Sequence, residues 1–338
     1  MRLKPRNDFR PVAAVLFALL LSLFVGSCGS GSAHSGPLAF PHSNHVFVVM
    51  EENRGYAELF PSGSPSDCTS SGMPYLCDLA NKNGTALNFY SNMHGSLEAY
   101  LFLTSASGWR RSPFKCNGTR CASPGAITGD TLVRALSASG LTWRGYFEDM
   151  PSQGYMKGNV GAYADKHNPF KWYSDVASSS AEQDNMYPFP VFASDLQANR
   201  FQNFSYIVPN LRNDAHGTGR ETPTALMSTA DNWLQTNIAP LLSTPPFQPG
   251  GDGVLFIAFD ESELDGGVVR DGSCSPTQAK GCGGHVPFVI ISPLVRPGSM
   301  TSTPYTFPDA LHTIIHLLGM SDYMNGANGA ADIDLLYQ

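Results

Sequence analysis

The sequence predicts an α/β fold, a three-layer sandwich in which a mostly parallel central sheet carries helices on both faces. Short continuous apolar runs, of the kind that fill strands buried on both sides, recur along the chain. Segments with helical spacing of apolar residues lie between them, and that alternation favours a parallel sheet over a meander. A hydrophobic content of 42% is enough to fill a full core.

Taken in order, the apolar runs are residues 45–50, 141–147, 204–208, 254–259 and 286–292. The helical segments include residues 129–139, where Leu132, Val133 and Leu136 share a face and Gly140 ends the pattern, and also residues 225–242 and 310–318. Residues 107–125 and 177–187 are rich in Gly, Pro and Ser and read as loops. No internal repeat is present.

Ahead of this body the chain opens MRLKPRNDFR and continues PVAAVLFALLLSLFVGSC. Basic residues before an apolar run too short for an ordinary spanning helix read as an export signal over residues 1–27, with an uncut anchor as the alternative. Val25-Gly26-Ser27-Cys28 resembles a bacterial lipobox, which implies lipidation of Cys28. Residues 28–44 are then a Ser/Gly tether, and residues 45–338 a single catalytic domain. The expected location is the cell envelope or beyond it.

Loss of residues 1–27 would take away four Lys/Arg and one acidic residue and move the net charge from −7 to −10. That balance argues against a nucleic-acid partner, because a polyphosphate backbone needs positive surface. Beyond Cys28 the cysteines fall into close pairs, 68 with 77, 116 with 121 and 274 with 282, and local disulfides are the simplest reading.

In open α/β sheets the chemistry gathers beyond the carboxyl ends of the strands. Glu51-Glu52-Asn53-Arg54 follows the first run and Asp260-Glu261-Ser262-Glu263 the fourth. Two such sets of oxygen donors suit a divalent cation, although acidic residues at strand ends also cap helices or face water. Asp214 and His216 follow the third run, and His285 precedes the fifth. Asp and His so mixed suit a zinc- or iron-like site, or a histidine acid for a leaving group. Ser96 opens the segment HGSLEAYLFLTSAS. It is placed either to cap a helix or, with a base or metal to take its proton, to act as a nucleophile where helix amides welcome a phosphoryl group. No GxSxG elbow and no phosphate-binding P-loop is present.

These residues resemble a known family, the bacterial phosphoesterases that include acid phosphatases and phospholipases C, within the alkaline-phosphatase-like superfamily. The resemblance runs through eight blocks in the same order: HVFVVMEENRGY, SNMHGSLEAYLFLTSAS, LTWRGYFEDMPS, YADKHNPFKWYSDV, FSYIVPNLRNDAHG, ADNWLQTNIAPLL, VLFIAFDESE and GGHVPFVIISPLVRPG. It implies an alkaline-phosphatase-like fold and a metal-dependent hydrolase. Glu52, Asn53, Asp260 and Glu261 then match metal ligands, and Ser96 matches the nucleophile. His167, Asp214 and His216 match residues near the phosphate or its leaving group.

Ala99 stands where the family commonly has an Asn, which implies weaker phosphate binding or donors borrowed from Asn92 or His94. Tyr305-Thr306-Phe307 replaces a block that carries a histidine. His312 and His316, on the helix that follows, read as structural.

The expected activity is that of an exported acid-phosphatase-like phosphomonoesterase working through a phosphoserine, with His216 or His285 as the acid. Its partners would be a small phosphorylated substrate or a phospholipid, and the membrane through Cys28. Phospholipase C action on lipid head groups is the alternative, and a non-catalytic ligand-binding lipoprotein the third reading. Oxygen donors point to Mg²⁺, Ca²⁺ or Mn²⁺, and the histidines admit Zn²⁺.

Overall fold

Six consecutive residues with almost no solvent exposure, Val46–Glu51, form the strand at the centre of the molecule. In the computed structural model, which describes residues 39–107, 124–262 and 283–337, this strand is β1. The others are β2 (Gly84–Ala86), β3 (Phe89–Ser91), β4 (Trp143–Phe147), β5 (Met186–Pro188), β6 (Phe204–Val208) and β7 (Val254–Phe259). The last four are β8 (Gly284–His285), β9 (Phe288–Ile291), β10 (Met300–Thr301) and β11 (Tyr305–Thr306). Leu38–Gln338 forms one compact unit. The leader, Cys28 and the cysteine pairs 116/121 and 274/282 lie outside the described residues. The remaining pair, Cys68 with Cys77, is a disulfide.

The main sheet has the order β10-β2-β9-β7-β1-β6-β4-β5, and its core from β7 to β5 is parallel throughout. Register is tight: Val48 of β1 sits opposite Tyr206 of β6 and Phe256 of β7. The remaining strand of the expected five, β9, runs antiparallel to β7. It is also shorter than the apolar run of residues 286–292, because Pro287 has no N–H for a ladder and separates β9 from β8. A small second sheet, β11-β3-β8, lies apart from the main one.

Both faces of the sheet are covered, as the uninterrupted apolar strands require. On one face Tyr206 meets Tyr100 of the Ser96–Ser105 helix with ring centroids 6.2 Å apart, and that helix packs on the Phe307–Leu317 helix. On the other, Phe47 meets Phe247 at 5.6 Å, and the Pro74–Lys82 and Pro223–Asn237 helices pack together. Among the described residues no helix is long and apolar enough to cross a membrane.

Several boundaries differ from the sequence reading for local reasons. The expected helix over residues 225–242 starts two residues earlier, where the Thr222 hydroxyl caps Ala225 N–H, and it breaks before Ala239–Leu242, whose second residue is Pro240. Residues 177–187, read as loop, contain the short Ser180–Gln183 helix and the start of edge strand β5. The Pro74–Lys82 helix has no cap of its own. The Asp231 carboxylate on the neighbouring Pro223–Asn237 helix accepts from Tyr75 N–H and Leu76 N–H, each at 2.9 Å. Asp231→Ala is therefore expected to lower stability by about 1–2 kcal/mol, read as a lower urea midpoint with an unchanged slope.

Candidate active site

The carboxyl ends of β1, β6 and β7 deliver three acidic loops to one edge of the sheet. Glu52 N–H donates to the Asp214 carbonyl at 2.7 Å, and Asp260 N–H to the Glu51 carbonyl at 3.0 Å, so the loops after these strands continue the ladder beyond it. Asp260 Oδ1 accepts from Asn53 N–H at 2.8 Å and Glu261 N–H at 2.6 Å. To reach it, Asn53 adopts φ 54°, a left-handed conformation that Asn tolerates better than most residues. Ala215, next to Asp214, sits at φ 70° with no such excuse, and Arg54 clasps its carbonyl at 3.0 Å. Strain of this kind persists where the surroundings over-determine the backbone.

Ser96 is the first residue of a helix that is buried on every side. It is not the cap: Gly95 holds that position at φ 103°, which a side chain would disfavour, and no side chain caps the helix. The Ser96 hydroxyl instead donates to Glu52 Oε2 at 2.9 Å and accepts from Lys166 Nζ at 3.1 Å. Glu261 fixes the approach to this turn, because its Oε2 accepts from Gly95 N–H at 3.0 Å and forms a close contact with His94 Nδ1. The nucleophile candidate thus lies in the positive field of a helix N-terminus with a carboxylate on one side and an ammonium on the other.

His167 is wedged between two of the carboxylates at 3% side-chain exposure. Its Nε2 lies 3.1 Å from Glu52 Oε1 and its Nδ1 3.4 Å from Asp214 Oδ2, neither with hydrogen-bond alignment, and its ring stacks on Tyr100. Glu52 Oε1, Asp214 Oδ2, Asp260 Oδ2 and both His167 nitrogens are buried without a hydrogen-bond partner. The electrostatics follow from that. Burial pushes the Glu52 carboxyl up to about 8 against the pull of Lys166, and Asp214 up to about 7 against the His216 backbone N–H. Burial, with Glu52 and Glu261 close by, holds Asp260 well above the usual carboxylate range. Burial, with Lys166 and His216 adding to it, keeps His167 well below an ordinary imidazole.

Of the residues singled out from sequence, Glu52, Asn53, His94, Ser96, His167, Asp214, Asp260 and Glu261 are linked by these contacts. His216 borders the set: its N–H donates to Asp214 Oδ1 at 2.8 Å and its ring centre lies 6.0 Å from that of His167. His285 has other neighbours, with Nε2 on the Leu87 carbonyl at 2.7 Å and its ring stacked on Tyr56. Asn92 Oδ1 accepts from Phe307 N–H at 3.1 Å, the first amide of a helix. His312 and His316 are tied to the Ala327 carbonyl and to Asp332, each at 2.8 Å. Lys166 and Tyr100 escaped the sequence reading, although both fall inside blocks that carry the family resemblance and flank singled-out residues.

The orphaned oxygens and ring nitrogens fit a divalent cation in kind. Among the described residues no three His, Cys, Asp or Glu side chains already converge on one point, so loading would require side chains to turn.

A mostly parallel sheet covered by helices on both faces is an alkaline-phosphatase-like fold. A protein of the alkaline phosphatase superfamily from Vibrio parahaemolyticus superposes with TM-score 0.54 at 13% identity, covering 85% of this chain and 69% of that one. The lipoteichoic acid synthase LtaP of Listeria monocytogenes gives 0.56 at 13%, covering 89% and 79%. The Phosphoesterase family matches residues 66–320, and the chain belongs to that family and is a phosphoric ester hydrolase. A phosphatidylinositol-3-phosphatase of Mycobacterium tuberculosis is 26% identical over 95% of this chain and 92% of its own length. A probable acid phosphatase of Kluyveromyces lactis is 26% identical over 65% of this chain, which spans 48% of that relative.

The raised carboxyls set a pH dependence. Glu52 and Asp214 hold protons in the folded protein that the unfolded chain, with ordinary values of 4.5 and 3.8, releases. Their contribution is complete below those ordinary values and is lost as pH rises through about 7 and about 8. With chelator present, the thermal midpoint is expected to fall from about pH 5 to about pH 8.5, and Glu52→Gln to flatten the fall.

Proposed function

We propose that the chain is a divalent-metal-dependent phosphomonoesterase with Ser96 as nucleophile, exported and held at the envelope by a lipid on Cys28. The observation that carries the reading is the Ser96 hydroxyl, 2.9 Å from Glu52 and 3.1 Å from Lys166, on the first turn of a fully buried helix. Relatives whose names specify phosphatase action support monoesters over diesters. The leader sequence and the Cys68–Cys77 disulfide support export to an oxidising compartment.

Glu52, Asn53, Asp260 and Glu261 are the residues that would hold the metal, with His167 and Asp214 beside them. That assignment moves His167 from the substrate to the ligand side, because its nitrogens face carboxylates in a sealed position. A divalent cation bound there lowers the pKa of a nearby hydroxyl and neutralises phosphoryl charge.

The chain's own groups do the rest. In its ionised form Glu52 takes the Ser96 proton at Oε2 as Oγ bonds to phosphorus and the ester P–O bond breaks. With Nδ1–H donated to the Gly217 carbonyl at 2.8 Å, the imidazolium form of His216 carries its second proton on Nε2, and that proton passes to the departing alkoxide. His285 is committed to Leu87 and is set aside for this step. Water then gives a proton to His216 Nε2 and attacks phosphorus, the P–Oγ bond breaks as Glu52 returns its proton to Ser96, and the products are inorganic phosphate and the starting enzyme.

The test is a substrate panel of an aryl phosphate, a phosphoinositide monoester in vesicles and phosphatidylcholine, run before and after chelation and metal add-back. Turnover of monoesters is expected, abolished by chelator and restored by one divalent ion. Ser96→Ala should lower kcat/KM by about three orders of magnitude or more. Full turnover in that variant would remove the nucleophile, and phosphatidylcholine as the best substrate would make the enzyme a phospholipase C instead.

A further inference from the structure

We infer that Lys166 is the cation that binds the phosphoryl group and reads its second negative charge, so that the site selects dianionic monoesters. The inference rests on the assignment of Ser96 as nucleophile. Glu52, Asp214, Asp260 and Glu261 crowd the Ser96 hydroxyl with buried acid, and an anion approaching it needs positive charge from the protein side. Among the described residues, Arg54 is buried with both terminal nitrogens on Glu58 and the Ala215 carbonyl and only its Nε unpartnered, and Lys171 is held by Asp165 and the Lys157 carbonyl. His94 is engaged by Glu261.

Lys166 differs from all three. It is partly exposed, and its ammonium reaches the reacting oxygen itself, at 3.1 Å. An ammonium has three hydrogens and Ser96 takes one, so donors remain for an oxygen one bond away from Oγ on an incoming phosphorus. The backbone that carries it is fixed from both sides. Asp165 N–H donates to Asn159 Oδ1 at 2.8 Å, the Asp165 carboxylate holds Lys171 at 2.8 Å, and His167 N–H donates to the Ala164 carbonyl at 3.0 Å. A preorganised cation needs no reorganisation when charge arrives, which is where such groups contribute most. A phosphodiester presents one negative charge fewer, so the same contact gains less from it.

A competing role is that Lys166 only orients the serine hydroxyl, and this predicts a different split. If Lys166 binds phosphate, Lys166→Met weakens competitive inhibition by inorganic phosphate by about 10- to 100-fold and raises KM for an aryl phosphate. Lys166→Arg, which keeps the charge, should hold phosphate inhibition within about threefold of the parent while kcat falls. Both variants are assayed as the metal-loaded enzyme, with the thermal midpoint as a check on folding, and Lys166→Gln as a second neutral substitution. Unchanged phosphate inhibition in Lys166→Met and Lys166→Gln, with only kcat reduced, overturns the inference and leaves Ser96 as nucleophile. Ser96→Ala with full turnover would instead remove the reading on which it rests.

Discussion

The excess of buried carboxylate over cation around Ser96 is the constraint on which the rest of the structure depends. Glu52 and Asp260 show no solvent exposure, yet each keeps an oxygen without a hydrogen-bond partner. Groups of this sort cost free energy wherever water cannot reach them. The fold tolerates them because its most cohesive part lies immediately beneath, where β1 pairs with β7 along its length and with β6 from Val46 to Val49, both partners being fully buried. The site is thus a local loss carried by a large hydrophobic gain, and it is relieved when something positive, a proton or a metal ion, enters.

The same economy explains how the loops are built. Backbone groups of one loop satisfy side chains of another: Asn53 N–H on Asp260, Gly95 N–H on Glu261, Arg54 on Ala215. Glu148, after β4, does likewise for the loop after β6 by holding Asn210 N–H and the Asn213 amide at 2.9 Å. No loop could keep its shape alone, and the left-handed conformations at Asn53 and Ala215 are legible only as products of this cross-bracing.

The strands that carry the site were readable from the sequence because runs such as VFVVME and VLFIAF, flanked by helical segments, have few other ways to bury themselves. Their acidic successors, Glu52 and Asp260, were readable for the same reason, since a parallel strand ends at a predictable edge. The two- and three-residue strands β2, β3, β8, β10 and β11 have no periodicity to detect and exist through pairing alone. Lys166 sits in a single 3-10 turn where no local pattern assigns a direction to a side chain, and only tertiary placement brings it to Ser96. For His285 the described residues show its Nε2 on the Leu87 carbonyl and its ring against Tyr56 and Tyr90.

The Ser96–Ser105 helix has no polar face, every residue from its first to its last being buried. It cannot rotate or slide without opening the interior to water. The Ser96 oxygen is therefore anchored as firmly as the hydrophobic centre itself, and adaptation to differently shaped ligands falls to the surrounding loops.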